Sequence, residues 1–144
     1  TSVALAAFFY GNPGTTPTPP GVGSITTNGA SVSYNTTSDY RLKDNVVDLD
    51  NALDRVNQLK PRRFSWRANP SIITEGFIAH EVAEVIPEVI TGEKDAVDAK
   101  GEIIPQNIDH SKLIPILTAA IKELSSELSI LRDRINKLEQ PVIT

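Results

Sequence analysis

The sequence has no cysteine, no methionine and a single tryptophan, and its only histidines are His80 and His110. Without cysteine there is no disulfide scaffold, no thiolate zinc site and no cysteine nucleophile. Two separated histidines leave too little for a His-rich metal site, so neither metal nor cofactor is expected. Long apolar runs are also missing. The best, residues 3–10, is eight residues long, whereas a spanning helix needs about 20. No basic stretch precedes it, as a signal peptide would require, and no membrane partner is expected. The balance of 14 basic against 18 acidic residues gives a net charge of −4. That mild acidity speaks against a nucleic-acid partner, which calls for a clustered basic surface. The Thr1 start, with no methionine anywhere, marks a piece of a longer chain.

The most informative scarcity is local. Residues 1–37 carry no charged side chain, and all 32 lie between Asp39 and Glu139. The uncharged part, with eight Thr, five Gly and four of the ten Pro, divides into three stretches. Residues 3–10 are apolar. Residues 11–23 read as a Pro/Gly/Thr loop or linker. Residues 25–34 read as two short strands around an Asn28-Gly29 turn, a strong hairpin signal. Such a segment has too little apolar surface to fold by itself. It belongs either to a larger β structure supplied upstream or by sister chains, or to a disordered tail.

Residues 38–144 read as α+β. Leu49, Leu53, Val56 and Leu59 recur at helical spacing, with Asp48 as a candidate N-cap, and Lys60-Pro61 ends that helix. Strands are expected at 63–67, at 72–79 with a bulge at Gly76, at 88–91, and at 97–104 folded over Lys100-Gly101. A short helix at 80–86 is stopped by Pro87. A long helix closes the chain. In it Ile114, Ile121, Leu128 and Ile135 recur every seven residues, and Leu117, Leu124, Leu131 and Leu138 follow each by three. This a/d pattern, held for four heptads, favours self-association over packing on the chain's own domain. Pro115 falls near the start, where its missing N–H does little harm. The heptads leave two and three strands open.

The chemistry sits where charge begins. Ser38 is followed five residues later by Lys43. A serine hydroxyl is a weak nucleophile until a base takes its proton, and a lysine is that base only when neutral. Side chains five apart share neither a helix face nor a strand face. The two meet only if the chain turns between them or if another subunit supplies the lysine. A surface turn is the plain alternative. Asp48-Leu-Asp50-Asn51 lacks the glycine and glutamate of a calcium loop. His80 reads as a packing or rim residue.

The octet Ser38-Asp39-x-Arg41-Leu42-Lys43-x-Asn45 resembles the opening of the C-terminal intramolecular chaperone domain of phage tailspikes and tail fibres, of the endosialidase type. Phage neck appendages and myelin regulatory factor carry the same module. Leu59-Lys-Pro-Arg-Arg-Phe-Ser-Trp66 resembles its Leu-x-Pro-x-x-aromatic-x-Trp strand. Gly76-Phe-Ile-Ala-His-Glu-Val82, followed by Pro87, resembles its Gly-Phe-Ile-Ala-Gln-Glu-Val segment, with His80 where Gln is usual. Asp109-His-Ser-Lys-Leu113 and Ala120-Ile-Lys-Glu-Leu124 resemble its closing helix, with His110 where Tyr is common. The likeness spans residues 38–140.

The resemblance implies a homotrimer whose folding client is the upstream fibre segment of its own chain. It implies self-release by cleavage at Thr37–Ser38, with Ser38 as nucleophile, Lys43 as general base, and Asp39, Arg41 and Asn45 in support. The domains expected are a client remnant at 1–37 and a chaperone at 38–144, with a coiled-coil helix at 113–139. Synthesis in the host cytoplasm is implied, with the mature fibre in the virion. The rival expectation is a non-cleaving structural or receptor-binding tip held by a permanent coiled coil. Placing a clamp downstream of an intertwined low-charge fibre has a physical logic. Register and loop closure cost free energy before contacts offset it, and a clamp raises the local concentration of chains first.

Overall fold

The computed structural model describes residues 3–9 and 21–139. They form two compact units divided between Val47 and Asp48.

The first unit is a three-stranded antiparallel sheet in the order β1 (Val3–Phe9), β2 (Gly21–Thr27), β3 (Val32–Thr36). The expected Asn28-Gly29 turn joins β2 to β3. The Asn28 side-chain oxygen accepts from the N–H groups of Ala30 and Ser31 at 3.0 and 2.9 Å, and Gly29 takes the φ of +88° that such a turn needs. The strands are longer than the pattern suggested: residues 21–23, expected in a loop, are the first rungs of β2, and Gly23 pairs with Thr36. Residues 11–20 of that expected loop lie outside the described residues. Every side chain of β3 is exposed, Tyr34 among them. The sheet thus buries little, as its composition dictates.

The second unit is mixed α+β. It runs through α1 (Ala52–Gln58), the hairpin β4 (Arg62–Trp66) and β5 (Asn69–Gly76), α2 (Ala79–Ala83), the short pair β6 (Ile90–Thr91) and β7 (Asn107–Ile108), and the 27-residue α3 (Leu113–Glu139). Its core is Ala52, Val82, Ile86, Val89, Leu113, Ile116 and Ala120. Fully burying each Val or Ile contributes about 1.5–3 kcal/mol, so this is a small core.

Several boundaries differ from the sequence pattern. The helix expected from 49 with Asp48 as cap begins at Ala52. Its N-cap is Asn51, in the left-handed region at φ 52° and with no side-chain cap bond. The β4–β5 register shifts beside Trp66 rather than at Gly76, which pairs regularly with Arg62. The Phe64 ring packs over Gly76, 3.4 Å from where a Cβ would stand. The strand expected at 97–104 is reduced to one bridge, Val97 with Ile103, and β7, at Asn107–Ile108, takes the place beside β6.

α3 has two apolar faces with different fates. Leu113, Ile116 and Ala120 face the unit's own core. The a/d residues lie beside them and remain uncovered: Ile121 is 67% exposed against 4% for its neighbour Ala120. No described helix is long and apolar enough to cross a membrane.

Candidate functional site

The octet lies at the end of the first unit's sheet. Beyond the Gly23–Thr36 rung, the Thr37 N–H donates to the Val22 carbonyl at 3.0 Å and its hydroxyl to the Gly21 carbonyl at 2.5 Å. Thr37 is therefore tied to β2 by both main chain and side chain.

The chain turns immediately afterwards. Asp39 is the N-cap of a 3₁₀ turn, Tyr40–Leu42, accepting from the Arg41 N–H at 2.9 Å. The Leu42 N–H closes on the Asp39 carbonyl and the Lys43 N–H on the Tyr40 carbonyl, at 3.2 and 3.1 Å. An aspartate at such a position satisfies amides that the turn leaves without partners. The reversal carries Lys43 back over Ser38, and Lys43 Nζ donates to Ser38 Oγ at 2.7 Å. Two side chains that neither a helix nor a strand could bring together thus meet within one chain.

The other octet residues hold the turn. Arg41 Nε and Nη2 grip the two Asp39 carboxylate oxygens at 3.0 and 2.8 Å. The Arg41 side-chain bonds, then its N–H, hold the Asp39 carboxyl below the usual carboxylate range, and Asp39 in turn raises Arg41. The Arg41 charge is thus paired with Asp39 at the surface. Asn45 sits at φ 53°, a conformation asparagine tolerates better than most residues. Among the described residues its side chain makes no hydrogen bond, and no donor reaches the Thr37 carbonyl. Ser38 and Lys43 are both exposed.

Two contributors escaped the sequence reading. The Thr37 hydroxyl has no signal in a Thr-rich stretch. The other is Glu123, whose carboxylate on α3 accepts from the N–H groups of Ala52 and Leu53 at 3.0 and 2.7 Å. It does the capping that Asn51 does not. Those two amides hold its carboxyl below the usual range, Leu53 first. No group of three or more metal-ligating side chains occurs among the described residues.

The fold thus defines a small α+β module that ends in an uncovered heptad helix and follows an uncharged sheet. Residues 38–91 match the family model described as the chaperone of endosialidase, a peptidase family, and this segment of the chain belongs to that family. The match begins at Ser38. Over 102 residues the chain is 30% identical to the long tail fiber protein Gp37 of Enterobacteria phage K3, covering 68% of this chain and 8% of that protein. It is equally similar to the corresponding protein of Enterobacteria phage T2, of which it covers 7%. The chain therefore spans under a tenth of the fibre proteins it matches.

Proposed function

We propose that this chain is the end of a phage fibre or appendage protein, in which residues 38–144 clamp three copies in register and then release themselves by cleavage at Thr37–Ser38. Residues 1–37 are the last piece of the client, and the mature fibre stays with the virion. The observation that carries this reading is the 2.7 Å contact between Lys43 Nζ and Ser38 Oγ, one residue beyond a threonine held on a strand.

The chemistry follows from that contact. Lys43 in its neutral form takes the Oγ proton as Oγ attacks the Thr37 carbonyl carbon. The tetrahedral intermediate collapses by breaking the C–N bond, and Lys43 returns the proton to the departing Ser38 nitrogen. Thr37 is then esterified to Ser38 Oγ. Water, deprotonated by Lys43, hydrolyses the ester to a Thr37 carboxylate and restores the serine hydroxyl. The clamp itself is supported by the a/d seam of α3, which the rest of the second unit, its head, leaves uncovered.

A second reading, a non-cleaving tip, has one observation in its favour. Among the described residues of a single chain nothing covers Ser38 and Lys43 or donates to the Thr37 carbonyl, where a donor to the oxyanion would stand. Neighbouring chains of a trimer are the source of that cover in the first reading.

Denaturing electrophoresis decides between them. The parent chain is expected to split into 37- and 107-residue pieces (144 − 37 = 107). Ser38→Ala stays whole, and Lys43→Ala is slower by a factor of about 10²–10⁴. Neutral hydroxylamine accelerates cleavage by trapping the ester. A parent chain that stays intact, or a Ser38→Ala chain that splits at the same bond, overturns self-cleavage.

A further inference from the structure

The lone pair of Lys43 has two uses. In the proposed cleavage the amine takes the Ser38 Oγ proton and hands it to the departing Ser38 nitrogen. When the ester has formed, Nζ is therefore neutral again. It stands 2.7 Å from the oxygen that now carries the acyl group. A neutral lysine amine is itself a nucleophile toward carbonyl carbon, so Nζ and water compete for the same ester.

The geometry favours the amine. Among the described residues Nζ is bonded only to Ser38 Oγ, and no salt bridge involves it. Lys43 is exposed, so no packing fixes the direction of its lone pair, which is free to turn from Oγ to the carbon beside it. The turn that brings Lys43 to Ser38 is closed by bonds among residues 39–43. All of them lie beyond the scissile bond and survive its breakage. On the other side Thr37 stays tied to the Val22 and Gly21 carbonyls of β2. The ester carbonyl is thus kept beside Nζ from both flanks. Well-oriented groups within one molecule react as if each were present at about 10⁵–10⁸ M, far above the concentration of water.

We infer that Lys43 is an acyl acceptor as well as a base, and that the site passes the Thr37 acyl group to the Lys43 side chain as an isopeptide bond. This rests on the ester of the proposed function and adds a second fate for it. Nζ attacks the Thr37 carbonyl carbon, the bond from that carbon to Oγ breaks, and the proton lost by Nζ goes to Oγ, restoring the serine hydroxyl. No water is consumed. The product is an isomer of the parent in which residues 1–37 end in an amide with Lys43 Nζ and Ser38 is a free N-terminus. Its two parts stay joined, so it runs beside uncleaved chain on a denaturing gel.

The test is made on the full-length band of the incubated parent chain. N-terminal sequencing is expected to read Ser38-Asp39-Tyr40 alongside Thr1-Ser2-Val3. Trypsin gives an independent signature, because residues 1–37 contain no lysine or arginine. The linear chain yields 1–41 and is cut after Lys43. The isomer yields 38–41 by itself and 1–37 joined to 42–55 through an uncut Lys43. Ser38→Ala shows neither signature, and Lys43→Ala forms no isomer at whatever rate it cleaves. A parent that splits while its full-length band reads Thr1 alone overturns transfer to Lys43 and leaves cleavage standing. A parent that neither splits nor shows an N-terminal serine overturns both.

Discussion

The Glu123 carboxylate accepts the Leu53 N–H at 2.7 Å across 70 residues of sequence, so the closing helix caps the first helix of the head. Asn51, in a left-handed conformation, makes no side-chain cap bond, which leaves the Ala52 and Leu53 amides to Glu123. Glu123→Ala is therefore expected to lower the thermal midpoint of the head and to increase amide exchange first over residues 52–55. Glu123→Gln keeps one acceptor oxygen and loses less. Calorimetry and hydrogen exchange check this. Equal midpoints for all three chains would show that the bond adds nothing to stability.

Acid should loosen the head in a defined direction. Glu81 is held below the usual carboxylate range by Arg62, Glu88 by its own backbone and then Arg55, Asp109 by Ser111, and Glu123 by Leu53 and Ala52. Each binds fewer protons folded than unfolded, so the stability it contributes is complete above the ordinary carboxylate range and is lost as pH falls through its depressed value. The thermal midpoint should stay level from neutral pH to about pH 5 and fall below it. Glu123→Gln removes one of the four groups and should flatten that fall. A midpoint that rises on acidification contradicts the assignment.

Association through α3 should be separable from folding. Leu124 and Leu131 are exposed in the single chain and lie further along α3 than Leu113, Ile116 and Ala120, which pack into the core. Leu124→Asp with Leu131→Asp should give a monomer by light scattering while the head keeps its near-ultraviolet signature from Trp66, whose ring stands edge-on to Phe64 at 5.6 Å. An oligomer of unchanged mass would mean that other surfaces hold the copies together.

The sequence pattern carried the elements that depend on local periodicity: the Asn28-Gly29 hairpin, the β4 strand around Phe64 and Trp66, and α3 with its seam. It failed where side-chain capping of backbone amides, distant or local, decides. The start of α1 is set by Glu123, far along the chain, so local capping logic chose Asp48. Val97–Ile104 alternates like a strand, yet Asp98 binds the Lys100 and Glu102 amides and leaves only one bridge. At the candidate site, residue identities were legible from the octet, but the meeting of Ser38 and Lys43 was not. It depends on a turn whose only local sign is Asp39 capping Arg41.

Gly23 links the uncharged sheet to the proposed cleavage. It pairs with Thr36, and a Cβ added there would sit 2.7 Å from the Asn35 carbonyl oxygen, a backbone atom that cannot swing aside. Gly23→Ala must therefore part β2 from β3 next to the two bonds that tie Thr37 to Val22 and Gly21. If the tied threonine is what presents the scissile carbonyl to Ser38, cleavage should slow by about tenfold or more, since each lost bond of this kind contributes of order 1 kcal/mol. Ser24→Ala is the control. It removes one side-chain acceptor of Asn35, which keeps Thr26, and leaves the backbone rungs alone, so its rate should match the parent. Time courses on denaturing gels give both rates. Equal cleavage by Gly23→Ala and the parent would mean that Thr37 reaches Ser38 without the strand behind it.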